Sequence, residues 1–223
     1  MATERELKFS LIDDVPTAEE VQTIFRQKGY ELIPQGTQKH FDIYFDDSHE
    51  SLQKAGMALR KRRTNNKVLA TLKANPHVSG ELHEREEIEE LMLGSNWPEE
   101  IFKRVEPVTD PWNVLERLEL ATLRTHYLVK SKHHDVAVLS FDAVTANYPG
   151  VFDTVSFEEV EIEALAETSE TELRAIADVL DRLIKLTPNN VNKLERAEAL
   201  LNLSRAFHSA DANWHEYVTR ENS

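Results

Sequence analysis

Segments in which apolar and polar residues alternate recur along the chain, and this period of two predicts β-strands. The first covers residues 3–11, where Leu7, Phe9 and Leu11 share one side. The opposite side of the same strand carries Glu4, Glu6, Lys8 and Ser10. The same alternation predicts seven further strands, at residues 38–46, 57–63, 67–73, 82–89, 119–130, 135–142 and 155–163.

Helical patterns separate some of these strands. Thr17 and Glu20 have capping-box spacing and begin an amphipathic helix that extends to Gly29. Further helices are predicted at residues 95–105, at 110–115, from Ser169 towards Pro188, and at 192–207. Residues 208–223 form a polar tail, and we expect it to be loosely ordered unless its two large rings, Trp214 and Tyr217, dock.

Composition narrows the class of protein. A chain of 223 residues with 40% hydrophobic and 30% charged residues predicts one domain, over residues 1–207, ahead of the tail. Its longest apolar runs are too short for a membrane span. The absence of a leader pattern and of cysteine favours the cytoplasm. The net charge of −14 argues against a nucleic-acid partner, and the sequence leaves monomer and homodimer open.

Most of the predicted strands have one apolar face and one charged face, which a single open sheet could not accommodate. We therefore expect an α+β fold with a closed eight-stranded antiparallel β-barrel, its charged faces inward and its helices packed outside. The acidic residues of the interior would be Glu4, Glu6, Glu87, Glu89, Asp142, Glu159, Glu161 and Glu163. The basic ones would be Lys8, Arg60, Arg62, Lys73, Arg85 and Arg124.

So many buried charges are tolerable only when they pair with each other or with bound ions. Clustered carboxylates favour a divalent cation, and clustered Arg and Lys side chains favour an anion of several charges. A metal complex of a short polyphosphate satisfies both. The alternative for the first strand alone is a solvated face with an incidental salt bridge.

These residues resemble the signature of the CYTH proteins, or triphosphate tunnel metalloenzymes. The resemblance begins at Glu4-x-Glu6-x-Lys8 and covers nearly the whole chain. It continues, in family order, through Leu59-Arg60-Lys61-Arg62, Lys73, Arg85-x-Glu87, Arg124, Asp142, Glu159-x-Glu161-x-Glu163 and Asn192-Lys193-Leu194-Glu195-Arg196. The strand after Gly80 is most similar to the bacterial inorganic triphosphatase branch. Leu194 departs from the family pattern, which has an aromatic residue after the lysine.

The resemblance implies a role for each charged residue. Divalent metal, Mg²⁺ or Mn²⁺, would be held by Glu4, Glu6, Glu159 and Glu161, with Asp142 and Glu163 next to them. Phosphate groups would be bound by Lys8, Arg60, Arg62, Lys73, Arg85, Arg124 and Lys193. Glu4, Glu6, Lys8 and Lys73 would take part in catalysis.

The expected activity is metal-dependent hydrolysis of inorganic triphosphate to pyrophosphate and phosphate. Hydrolysis of thiamine triphosphate and cyclisation of ATP remain open, because both substrates carry the same triphosphate. His40 followed by Phe41 resembles a pair in the class IV adenylate cyclase branch, although packing explains this pair as well. A non-catalytic polyphosphate-binding module is the remaining alternative.

Overall fold

The computed structural model describes residues 2–11, 14–65, 67–165 and 168–221, without the side chains of Ala2 and residues 209–221. These residues form nine strands and five helices. The strands are β1 (Ala2–Leu11), β2 (Tyr30–Asp46), β3 (Ala58–Thr64), β4 (Lys67–Ser79), β5 (Leu82–Leu91), β6 (Leu115–Ser131), β7 (His134–Asn147), β8 (Val155–Ala164) and β9 (Leu186–Pro188). The helices are α1 (Ala18–Gln27), α2 (Ser51–Lys54), α3 (Glu99–Val105), α4 (Glu170–Leu180) and α5 (Lys193–Glu221).

The strands pair antiparallel in the order β5-β4-β3-β2-β6-β7-β8-β1-β9. A further pairing of β1 with β5, in which Glu4 lies opposite Arg85, closes β1 to β8 into a barrel. The predicted α+β fold with a closed eight-stranded antiparallel barrel is therefore confirmed. The short strand β9 extends the sheet beside the end of β1, and its three residues were too few for alternation to reveal.

Two hydrophobic cores cover the outer face of the barrel. In the first, Leu7 and Phe9 of β1 pack with residues of β6, β7 and β8 beneath α1 and α4, which contribute Phe25 and Ile176. In the second, residues of β3, β4 and β5, among them Leu59, pack beneath α2 and α3. Because side chains alternate along a strand, burying these apolar residues outside turns their charged neighbours into the barrel interior, the lumen.

A third core closes one end of the lumen. It contains Leu118, Leu120, Val144 and Phe157, which alternate in phase with the lumen residues Arg124, Asp142 and Glu159 of the same strands. The buried residues Ala197 and Leu201 of α5 pack against this group. The first turns of α5 therefore seal one barrel end, unlike the other helices, which lie outside as predicted.

Several predicted boundaries differ from the structure, and the helix predicted from Ser169 towards Pro188 ends at Leu180. The helix predicted at 110–115 is absent: residues 111–113 form a turn, because the Asp110 carboxylate accepts hydrogen bonds from the backbone N–H of Trp112 and the Asn113 side chain. The helix predicted at 95–105 begins only at Glu99, after Pro98. Strand β2 begins at Tyr30, eight residues early, because an irregularity in its pairing with β6, between Pro34 and Gly36, hides the alternation there.

The last helix is longer than predicted. Its backbone continues beyond Phe207 to Glu221, so much of the expected tail is helical. The side chains of Trp214 and Tyr217, and the whole of Asn66, lie outside what the structure describes. Among the described helices, none combines the length and the apolar character that crossing a bilayer requires.

Candidate active site in the barrel lumen

The lumen contains a cavity of about 570 Å³ that strand alternation lines with charge. All seven basic residues predicted to bind phosphate lie on its wall: Lys8, Arg60, Arg62, Lys73, Arg85, Arg124 and Lys193. Its acidic wall consists of Glu4, Glu87, Glu89, Glu90, Glu100, Glu161 and Glu163. Cross-strand neighbours share a face, so charges from strands distant in sequence converge here.

Three buried carboxylates, the carboxylate trio, lie together deeper in the lumen. Asp142 of β7 is the cross-strand partner of Glu159 of β8, and Glu161 follows two residues later on the same face. One oxygen from each lies within 4.8 Å of the others. Both Glu159 oxygens are buried and accept no hydrogen bond from the described residues. Hard divalent cations such as Mg²⁺ prefer carboxylate oxygens, so this donor set fits such an ion.

Three cations surround Glu161 in the present arrangement. The ammonium groups of Lys8 and Lys193 lie 2.9 and 2.6 Å from its Oε1 atom, and Arg124 pairs with its Oε2 atom. Burial alone would raise the pKa of the Glu161 carboxyl, but these cations outweigh burial and hold it well below its ordinary value. Glu161 is therefore charged near neutral pH, as a metal ligand must be.

The start of α5 delivers Lys193 to the trio. Asn192 Oδ1 accepts a hydrogen bond from the Glu195 backbone at 3.0 Å, and Glu195 Oε2 accepts one from the Asn192 backbone at 2.9 Å. This reciprocal cap fixes the first turn, with Lys193 as the first helical residue. Arg196, one turn on, stacks over the Phe157 ring at 4.5 Å and holds that turn against the barrel.

Glu4 and Glu6 occupy a neighbouring part of the lumen, where Lys73 and Arg85 are their main partners. Lys73 Nζ contacts the two Glu4 oxygens at 2.7 and 2.6 Å, and Arg85 donates to Glu6 Oε1 at 2.6 Å. The Lys8 ammonium lies 3.2 Å from Glu6 Oε1 and so links this pair to Glu161. Burial alone would raise the pKa of Glu6, but Lys8 and the other nearby cations lower it to about 2.

Glu163 lies opposite Glu6 on the adjacent strand and has the reverse electrostatic environment. Burial, and then the negative charges of Glu4 and Glu6, raise the pKa of its carboxyl to about 7. Of the six predicted metal ligands, the structure thus gathers Asp142, Glu159 and Glu161. Glu4, Glu6 and Glu163 form a second acidic group on the other side of Lys8.

Asp42 of β2, for which the sequence predicted no role, orients the arginines of β3. Its carboxylate accepts two hydrogen bonds from Arg62, both 2.7 Å long, and lies 3.7 Å from Arg60. Asp142 holds Arg124 in the same forked manner, at 2.8 and 2.6 Å. Planar guanidinium groups fixed in this way are suited to binding phosphate oxygens.

His40 lies beside these arginines. Burial first, and then the positive charges of Arg62 and Arg124, lower the pKa of its imidazole to about 4, so the ring is neutral at ordinary pH. Its Nε2 atom is 3.1 Å from Gln38 Oε1. His40 is not on the wall of the cavity described above, whereas Tyr44 is.

Comparison with known families identifies the class. The family model of the CYTH domain matches residues 2–197, which contain all eight barrel strands and the first turn of α5. The chain therefore belongs to the CYTH domain family. No curated protein matches the chain.

Solved structures confirm the fold. A Hippeastrum protein, described as a candidate adenylyl cyclase with a dominant triphosphatase activity, is 19% identical with a TM-score of 0.61, over 88% of this chain and 95% of that one. A candidate adenylate cyclase from Bacillus halodurans is 20% identical with a TM-score of 0.56, over 88% and 98% of the two chains. A protein from Pyrococcus horikoshii is 19% identical with a TM-score of 0.50, over the same shares. At these identities the likeness concerns the fold.

Proposed function

We propose that this protein hydrolyses inorganic triphosphate to pyrophosphate and phosphate with the help of a divalent metal ion, Mg²⁺ or Mn²⁺. The observation that carries the proposal is one lumen cavity on whose wall all seven predicted phosphate-binding cations lie. The resemblance of the β5 strand to the bacterial inorganic triphosphatase branch supports the same substrate.

The basic residues bind and orient the phosphate chain. Asp42 and Asp142 hold the Arg62 and Arg124 guanidinium groups before substrate arrives, so little side-chain entropy is lost on binding. Arg60, whose buried Nε atom has no hydrogen bond among the described residues, is free to donate to a phosphate oxygen. Together they neutralise the charge that develops on the transferred phosphoryl group.

The carboxylate trio would hold the metal ion, with Glu4, Glu6 and Glu163 as the second acidic group. When bound there, a divalent ion would offset phosphate charge and make a nearby water a better nucleophile. Two acidic groups speak against a non-catalytic polyphosphate-binding module, because binding a polyanion requires the cations alone.

The cavity wall favours the bare triphosphate over its organic esters. Tyr44 is the one aromatic residue among those that line the described cavity, so a purine or thiazolium ring would find little surface on which to stack. Charge, in contrast, extends along the whole wall. We therefore propose inorganic triphosphate ahead of ATP and thiamine triphosphate.

A panel of substrates tests the proposal. Phosphate release is measured with triphosphate, thiamine triphosphate, ATP and pyrophosphate, each with Mg²⁺ or Mn²⁺ and with a chelator, and cyclic AMP is measured in the ATP reactions. We expect the highest kcat/KM for triphosphate, loss of activity with the chelator, and pyrophosphate plus phosphate as products.

Glu159→Gln serves as the negative control, because it keeps the shape of the side chain and removes one carboxylate charge from the trio. A higher kcat/KM for ATP or thiamine triphosphate, or production of cyclic AMP, would assign the protein to a sister activity of the family. Tight triphosphate binding without turnover would support the binding module instead.

A further inference from the structure

The ammonium group of Lys193 lies within the carboxylate trio. Its Nζ atom is 2.8 Å from Asp142 Oδ2, 2.6 Å from Glu159 Oε1 and 2.6 Å from Glu161 Oε1. The residue is 8% exposed and is fixed at its backbone by the capped first turn of α5. Lys193 is thus the cation that the trio currently shares.

No other described cation contacts all three carboxylates. Arg124 contacts Asp142 and Glu161 only, and Lys8 contacts Glu161 but neither of the other two. Arg196 reaches Glu159 at 3.7 Å, on its other oxygen. The contact between Lys193 and Glu159 is an ion pair without hydrogen-bond geometry, so both Glu159 oxygens retain unused acceptor capacity.

A divalent ion and the Lys193 ammonium require the same oxygens. Carboxylate oxygens bind Mg²⁺ at about 2.0–2.1 Å, so an ion held by the trio would lie about as near to all three oxygens as Nζ does now. Two cations that close repel each other strongly in a buried site. Occupation of the trio by lysine and by metal is therefore mutually exclusive.

We propose that Lys193 is a built-in counter-ion that a divalent metal displaces from the carboxylate trio, and that the displaced ammonium then turns into the cavity to bind phosphate. The inference rests on the proposed function for the identity of the metal and of the phosphate compound. Lys193 already lines the cavity as well as the trio, so the movement requires side-chain rotation and no shift of α5. Without metal, the same lysine neutralises part of the buried negative charge and so keeps the empty trio stable.

Metal affinity of the substrate-free protein tests this exchange. When an internal cation competes for the site, the apparent affinity for metal equals the intrinsic affinity multiplied by the fraction of molecules in which the site is open. Lys193→Met removes the competitor and keeps its length, while Lys8→Met removes an equal charge that also contacts Glu161 but lies outside the trio. Calorimetric titration with Mn²⁺ should show tighter binding for Lys193→Met, by about tenfold or more beyond any gain in Lys8→Met.

Lysine ammonium resonances of the ¹⁵N-labelled wild-type protein give a second readout that needs no variant to fold. The Lys193 signal, assigned by its loss in Lys193→Met or by its nuclear Overhauser contacts, should shift and exchange faster with water on addition of Mg²⁺. The Lys8 signal should keep its protection against exchange, because Lys8 retains its partner Glu6.

The outcomes separate this inference from the proposed function. Equal gains in Mn²⁺ affinity for both variants, a Lys193 signal unmoved by Mg²⁺, or no Mn²⁺ binding by any form would overturn the exchange. Phosphate release from triphosphate is measured in the same buffers. Hydrolysis with an unmoved Lys193 signal refutes only the exchange, whereas exchange without phosphate release refutes only the triphosphatase.

Discussion

Glu163 provides a direct test of the electrostatics of the lumen, through the replacement Glu163→Gln. Burial and the charges of Glu4 and Glu6 raise its pKa from 4.5 to about 7 in the folded protein. The metal-free native state therefore binds a proton that the unfolded state has already lost between these two values. Stability from this group is fully present below pH 4.5 and is lost as pH rises through 7.

The expected size follows from the two pKa values. Integrating the linkage relation from low pH, the raised pKa of Glu163 lowers the unfolding free energy by about 1 kcal/mol near pH 5 and by about 3 kcal/mol near pH 8. His40 acts in the opposite direction, because its lowered pKa makes the protein less stable as pH falls from 6.5 towards 4. That contribution is common to both proteins and cancels when the variant is compared with the wild type.

Urea unfolding at several pH values, with a chelator present, measures the difference. The glutamine variant should exceed the wild type in unfolding free energy by an amount that grows with pH, towards about 3 kcal/mol. Glu31→Gln, which removes an exposed carboxylate from β2, is the matched control. Wild-type and Glu163→Gln stabilities that differ by a constant amount from pH 5 to 8 would show that Glu163 is not held protonated by its neighbours.

Other replacements separate binding from stability. Arg60→Ala should raise the KM for triphosphate about ten- to hundredfold in steady-state assays. The unfolding free energy should change little, because the ion pairs of Arg60 are long, 3.7 and 3.8 Å. An unchanged KM would contradict a phosphate contact. Arg124→Ala should raise the KM as well and should lower the urea unfolding free energy. The loss should be smaller than the roughly 3–5 kcal/mol of an unpaired buried charge, since Lys193 still pairs with Asp142 and Glu161; wild-type stability would refute the pairing of Arg124. Glu159→Gln should abolish Mn²⁺-dependent phosphate release while the circular dichroism spectrum is retained, and full activity at saturating Mn²⁺ would exclude Glu159 as a ligand. Leu118→Ala, at the end sealed by α5, should cost about 2–5 kcal/mol in urea unfolding, and a negligible loss would show that this core is not packed as described.

Strand alternation predicted correctly which charged side chains of β1, β3 and β8 face the lumen. Leu7 and Phe9 pack in an outer core while Lys8, between them, lies among charges, as the period of two requires. The same rule placed Arg60, Arg62 and Lys73 on one cavity wall. Segments in which local hydrogen bonds compete with the regular pattern were predicted less well, since the Asp110 carboxylate forms a turn where the Asp-Pro signal favours a helix start.

The sequence did not predict which charged residues pair with each other. Pairing depends on the register between strands and on the entry of α5 into the barrel, and alternation determines neither. The pattern of β1 and β8 left Glu4, Glu6, Glu159 and Glu161 equivalent, yet the register sets Lys8 opposite Glu161 and Arg85 opposite Glu4. This separates the acidic residues into two groups that Lys8 links.

The position of Lys193 depends on a further condition, that α5 enters the lumen. The sequence contains one indication that α5 enters the barrel. The apolar residues Leu118 and Leu120 occupy the same face of β6 as the charged Arg124. An inward-facing strand that changes from charged to apolar requires an apolar partner inside the barrel, and the Ala197 and Leu201 face of α5 is that partner. Once the helix packs there, its capped N-terminus faces the charged part of the lumen, and the first side chain of the helix extends into the carboxylate trio.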